Sequence, residues 1–163
     1  MKPSYDSTIQ LRDVKEKDLP TFFKHQQSNA ANKMAAFTVR DPNNWKSFFE
    51  HWTNILTDAS IIKKAILYEE ELVGHLTQFN QLGHPSISYW IGEAFWGRGI
   101  ATTALTKFLH QVDKRPLYAR VAKDNIASIC VLEKCGFVIV DEDEGFSYSR
   151  NQDVAEYLLQ LDK

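Results

Sequence analysis

The chain predicts one mixed α/β domain, a largely antiparallel sheet of about seven strands flanked by about four helices. Three observations carry that expectation. Its 163 residues, 44% hydrophobic and 25% charged, suit one sizeable core and do not accommodate two domains of ordinary size. Three apolar runs follow one another in mid-chain, as in an antiparallel meander. The second half then changes rhythm, setting helices between strands, so the sheet is mixed rather than regularly doubly wound. No repeat, low-complexity tract or Gly/Ser/Pro linker divides residues 1–163.

The elements follow in order. Thr8 to Arg12 alternates as a first strand, and Lys15 to Ala31 carries Leu19, Phe22 and Phe23 at helical spacing. A second helix runs through Trp45, Phe48, Phe49, Trp52 and Leu56, with Asp41 as its expected N-cap and Pro42 at its first position. Lys64 to Tyr68, Leu72 to Phe79 and Ser86 to Ile91 form the meander. Beyond the loop Gly92 to Gly99, residues Ala101, Ala104, Leu105, Phe108, Leu109 and Val112 lie on one face of a third helix. Leu117 to Ala122 is a strand, Asn125 to Lys134 a helix stopped at Cys135-Gly136, and Phe137 to Val140 and Val154 to Leu161 are the last strands.

Composition narrows the function. Nineteen Lys and Arg against 21 Asp and Glu give a formal charge of −2, without the basic excess that drives nucleic-acid binding. The opening MKPSYDSTIQ has no apolar signal region, and charges interrupt every apolar stretch before the roughly 18 residues of a membrane span. Cys130 and Cys135, about 140° apart on a helix, read as reduced thiols in a cytoplasmic protein. The five histidines have no metal-ligand spacing, so no metal is expected. Neither a G-x-S-x-G elbow nor a P-loop occurs.

Chemistry concentrates at Gly97-Arg98-Gly99-Ile100-Ala101-Thr102. Two glycines let backbone approach a ligand closely, the following helix start offers unpaired N–H groups and a positive dipole end, and Arg98 adds a full charge. The segment therefore suits a phosphate or pyrophosphate. A dinucleotide fold is one way to use it, since Gly97-x-Gly99-x-x-Thr102 nearly matches G-x-G-x-x-G and Asp124 follows the next strand. Against it, five residues separate Ile91 from Gly97, Thr102 replaces the third glycine, and the meander lacks the βαβ order.

The run Tyr89 to Thr102 (YWIGEAFWGRGIAT), followed by Asn125-Ile126-Ala127-Ser128 and Val131 to Phe137 (VLEKCGF), resembles the GNAT N-acetyltransferases. Within them it is similar to the subgroup that includes the ribosomal-protein N-terminal, or Rim-type, enzymes. The family motif Q/R-x-x-G-x-G/A maps onto Trp96-Gly97-Arg98-Gly99-Ile100-Ala101, with Trp96 in place of Gln or Arg. The resemblance implies acetyl-CoA as cosubstrate, bound where the fourth and fifth strands splay apart. Its pantetheine would run beside the backbone of Tyr89 and Ile91, its pyrophosphate on the N–H groups from Gly97 to Thr102. Asn125 would hydrogen-bond the pantetheine arm, a residue that at a helix start also caps the first turn.

Acetyl transfer requires a neutral amine, a polarised thioester carbonyl and a proton for the departing thiolate. The Ile91 N–H would polarise the carbonyl. Many family members carry a tyrosine at the position of Leu132 as the acid, and leucine cannot serve. The Rim-type subgroup uses the serine of its N-x-x-S turn, which points to Ser128; the alternative for Ser128 is a polar residue of the first helical turn. Glu93 is the expected general base, directly or through water, with His84 and Glu144 as other candidates and a structural partnership as the alternative for Glu93. Phe37, Trp45 and Tyr148 could line an acceptor pocket, and Asp141 to Glu144 is either an electrostatic lure for a cationic amine or a solvated turn. The acceptor is expected to be a primary amine, foremost a protein or peptide N-terminus, with a polyamine, aminoglycoside or amino acid as alternatives. A monomer or homodimer is expected, and the other class of function is an acyl-CoA sensor without turnover.

Overall fold

The computed structural model describes residues 8–163. The reading of the opening residues 1–7 lies outside them. The chain runs β1 (Ile9–Asp13), α1 (Leu19–Gln26), α2 (Asn29–Ala35), α3 (Trp45–Thr57), β2 (Ile62–Tyr68), β3 (Glu71–Gln81), β4 (His84–Ile91), α4 (Ile100–Gln111), β5 (Leu117–Ala122), α5 (Ile126–Lys134), β6 (Val138–Ser147) and β7 (Gln152–Leu161), with single 3₁₀ turns at Glu16–Asp18 and Glu93–Phe95. The strands form one sheet in the order β1-β2-β3-β4-β5-β7-β6. All neighbours are antiparallel except β4 and β5, which run parallel and pair only at Ser86 and Tyr118. Past that pair the two strands diverge. The mixed sheet is as the sequence pattern predicts, and the splayed fourth and fifth strands are as the resemblance implies.

Alternation along each strand sends side chains to opposite faces. Ile66, Leu76, Ile87 and Ile91 meet Ile100, Leu105 and Phe108 of α4 and Leu132 of α5 on one face. Ala65 joins Phe22 of α1 with Phe48 and Trp52 of α3 on the other. The helical periodicity read from α3 and α4 is therefore the periodicity of burial.

Three local expectations are corrected. The first predicted helix, Lys15 to Ala31, is broken: Gln27 ends α1, and Ser28, in extended conformation, accepts from Ala31 N and caps α2. Asn32 Nδ2 pins the break by donating to Gln26 O at 2.6 Å and Ser28 O at 2.9 Å. The N-cap of α3 is Asn44, whose Oδ1 accepts from Ser47 N, while Asp41 is spent one turn earlier on Asn43 N. Finally, Asp141 to Glu144 is no turn. These acids are exposed residues of β6, at the open edge of the sheet, in register with Leu158, Tyr157, Glu156 and Ala155 of β7 respectively.

Candidate active site

A cavity of about 810 Å³ occupies the wedge where β4 leaves β5, and its walls come from both faces of the sheet. Gly97 to Thr102, Tyr89, Ile91, Asn125, Ser128 and Leu132 line one side. Phe37, Thr38, His75, Phe79 and Trp90 line the other. The cavity thus passes through the sheet.

At the first end, Gly97 (φ 78°) and Gly99 (φ 75°) hold left-handed backbone that side-chain-bearing residues avoid, and Gly99 is the N-cap of α4. A Cβ added at either would meet no protein atom within 4 Å, so the loop faces open space. The first intrahelical bond is Thr103 N to Gly99 O, leaving the preceding N–H groups free for an anion. Arg98 lies 5.8 Å over the Phe95 ring and forms no ion pair among the described residues. Trp96, where the family motif has Gln or Arg, donates its indole N–H to Ile91 O at 2.9 Å and ties the loop to the end of β4.

β4 presents an unpaired backbone edge. Gly92 N donates to Val73 O of β3, so in an antiparallel ladder the N–H of Ile91, whose carbonyl is taken by Trp96, and, two residues back, the groups of Tyr89 face the gap. At the start of α5, Asn125 Oδ1 accepts from Ser128 N at 3.2 Å, which commits that oxygen to capping and leaves the amide NH₂ available. The Ser128 hydroxyl lies 2.6 Å from the phenol oxygen of Tyr89. Burial pushes the Tyr89 phenol up to about 12, over the opposing effect of that hydrogen bond. Sequence reasoning assigned only the backbone of Tyr89; no local pattern signals a contact spanning 39 residues.

On the other face, His75 sits against the rings of Phe22 (4.6 Å) and Trp52 (4.9 Å). Burial, then the neighbouring His25, pushes its imidazole down to about 3, so it is neutral at neutral pH. The Trp90 indole N–H, His75 Nδ1 and Thr38 Oγ are buried without hydrogen-bond partners. The charged side chains of the whole lining are Arg98, Arg120, Lys134 and Glu156, and Glu156 is held by Arg120 at 3.0 Å. Positive charge prevails.

Other candidate residues lie elsewhere. Glu93 is outside the cavity lining, and its Oε1 accepts from Ser28 Oγ at 2.5 Å, joining the end of β4 to the cap of α2. His84 is exposed at the far end of β4, its ring 4.6 Å from that of Tyr118. Trp45 packs on Phe23, Phe48 and Phe49, and Tyr148 on Phe146 and Arg40. Of the acidic run, Glu142 pairs with Lys123 and Asp143 lies 3.9 Å from Arg120; none of the four lines the cavity. Among the described residues no group of three or more His, Cys, Asp or Glu could hold a metal ion. Nor is any described helix long and apolar enough to cross a membrane.

Residues 8–138 match the family model described as an acetyltransferase (GNAT) domain. An uncharacterized protein of Methanocaldococcus jannaschii is 26% identical over 140 residues, which cover 81% of this chain and 28% of that protein. The chain thus spans little more than a quarter of this curated relative. The self-immunity acetyltransferase MccE, solved with acetyl-CoA and AMP, superposes with a TM-score of 0.79 at 18% identity, over 96% of this chain and 93% of that one. RimL, a ribosomal-protein α-N-acetyltransferase solved with coenzyme A, gives 0.74 at 20% identity, over 98% and 97%. A Vibrio cholerae spermidine N-acetyltransferase with CoA and spermine gives 0.73 at 18%, over 94% and 96%.

Proposed function

Because the chain belongs to the GNAT acetyltransferase family, we propose that it moves acetyl from acetyl-CoA to the α-amino group of a protein or peptide N-terminus, as a Rim-type enzyme working by direct attack in a ternary complex. The observation that carries this reading is the cavity through the sheet, with an anion-binding helix start at one mouth and a neutral aromatic wall at the other. The N–H groups from Gly97 to Thr102, with Arg98, hold the pyrophosphate; the backbone of Tyr89 and Ile91 and the Asn125 amide take the pantetheine arm. Ile91 N–H polarises the thioester carbonyl from the gap. Ser128 donates toward the sulfur. Glu93, engaged by Ser28, acts on the amine only through water. The two free thiols, Cys130 exposed and Cys135 half-buried, accord with the reducing cytoplasm.

The wall chemistry selects among acceptors. A polyamine brings several cations and needs carboxylates to receive them, whereas this lining carries three cations and a single carboxylate that Arg120 already occupies. An α-amine fits better. Its ordinary pKa of about 7.7 to 8.0 leaves part of it neutral at working pH, while a lysine amine near 10.4 is almost wholly protonated, so water suffices as base for the first.

Mass spectrometry of peptides carrying both amines, with thiol release measured in parallel on spermidine, an aminoglycoside and free amino acids, tests the reading. Acetylation at the peptide N-terminus is the expected result. Acetylation confined to lysine, or turnover of the polyamine alone, overturns the N-terminal assignment. Tight CoA binding with no thiol release from any amine overturns catalysis in favour of a sensor.

A further inference from the structure

We propose that the side chain of Tyr89 is a positioning residue for Ser128, and that the two hydroxyls form one directed donor chain ending on the sulfur released during acetyl transfer. This rests on the acetyl-transfer reading above. Ser128 stands in the first turn of α5, half-buried, and Tyr89 reaches it from β4 across the wedge at 2.6 Å. Two constraints meet on this serine. Asn125 Oδ1 holds its backbone N–H, fixing where the residue stands. Tyr89 holds its oxygen, fixing where the hydroxyl points.

A serine hydroxyl has one proton and two lone pairs. If Ser128 gives its proton to Tyr89, none is left for sulfur. The reverse order works: Tyr89 O–H donates to Ser128 Oγ, and Ser128 O–H donates to sulfur. Each bond strengthens the next as negative charge develops. Burial holds the phenol neutral, so it keeps its proton throughout the working range. Leu132, buried in the same wall, has no donor with which to compete.

The chain donates hydrogen bonds without ionising. In the step the amine nitrogen forms a bond to the acetyl carbon, the carbon–sulfur bond breaks, and sulfur keeps the electron pair. A thiol ionises near 8.5, far below this phenol, so proton transfer from Tyr89 to the thiolate would run uphill. The proton lost by the amine passes to water, and water returns one to sulfur. The two hydroxyls lower the energy of the thiolate as it departs.

The test is a double-mutant cycle on the whole chain, with folding checked by CoA calorimetry. Tyr89→Phe keeps the ring and is expected to lower kcat about tenfold, with KM for acetyl-CoA within about twofold. Ser128→Ala should lower kcat by roughly ten- to a hundredfold at unchanged acetyl-CoA affinity, and Ser128→Thr, which restores a hydroxyl, should recover most of the loss. In the Ser128→Ala background, Tyr89→Phe should cost nothing further. Parental kcat in Tyr89→Phe, or its full factor persisting without Ser128, overturns the chain while leaving the acetyltransferase reading intact. Absence of thiol release by the parent with every amine overturns both.

Discussion

Replacing Gly99 with valine is expected to leave a folded protein with no measurable affinity for CoA. Gly99 caps α4 at φ 75°, where a β-branched residue is strained by about 1–2 kcal/mol or more. No protein atom lies within 4 Å of the added Cβ, so crowding inside the chain contributes nothing. The new side chain would instead fill the space over the free N–H groups, where the proposed pyrophosphate would come into contact. Gly83, in the turn between β3 and β4, provides the control: at φ 81° it is equally left-handed and equally without neighbours, and it does not line the cavity. Gly83→Val should carry the same strain and bind CoA normally. Calorimetry on the pair decides it; parental affinity in Gly99→Val would remove the loop from the binding site.

The largest loss of stability is expected from Gly74→Ala, although it adds only one methyl group. The added carbon would lie 2.2 Å from Trp90 O and 3.2 Å from Ile91 Cα, both backbone atoms of β4. No side-chain rotation relieves the first contact. Strands β3 and β4 must separate at the end where β4 presents Ile91 to the wedge, and Gly74 also adjoins the irregularity in the β2–β3 register. About 3 kcal/mol or more of destabilisation, a drop in Tm on the order of 10 °C, should appear in thermal melts. A Tm equal to the parent's would mean that the two strands are not held at this spacing in solution.

What the sequence conveyed was mostly local. Leu117 to Ala122 was legible to the residue because apolar alternation and the flanking breaks coincide there. So, to within one residue, was α5: the predicted first residue, Asn125, is its N-cap, and Gly136, in left-handed backbone, follows it. Asp41-Pro42 reads as a helix start, but Asp41 is used in a turn with Asn43 N, and the cap of α3 falls three residues later on Asn44. Ser28 lies inside the run Lys15 to Ala31 that reads as one helix, yet its hydroxyl serves both Ala31 N and Glu93. The acidic run looked like a turn because charge is common in turns; its membership of β6 comes from a ladder with β7 that composition cannot reveal.

The candidate site divides along the same line. The glycine loop and the Asn125 cap are contiguous motifs and can be read in one pass. The Tyr89–Ser128 contact, the Ser28–Glu93 bond and the neutral wall of His75 and Trp90 depend on residues far apart in the chain. Burial and strand register create them, and neither has a short-range signature.

The single pairing between β4 and β5 gives this sheet two extra edges in its middle. Mechanically it is a plate of four strands and a plate of three, joined at Ser86 and Tyr118 and sharing one apolar core with α4 and α5. Edge backbone groups are ordinarily satisfied by another strand or by water. An extended amide-bearing ligand laid along β4 satisfies them instead and bridges the plates. On the proposed reading, slow hydrogen exchange at the Tyr89 and Ile91 amides is expected only of the ligated protein, with the cosubstrate as a removable strand that would set the cohesion of the sheet.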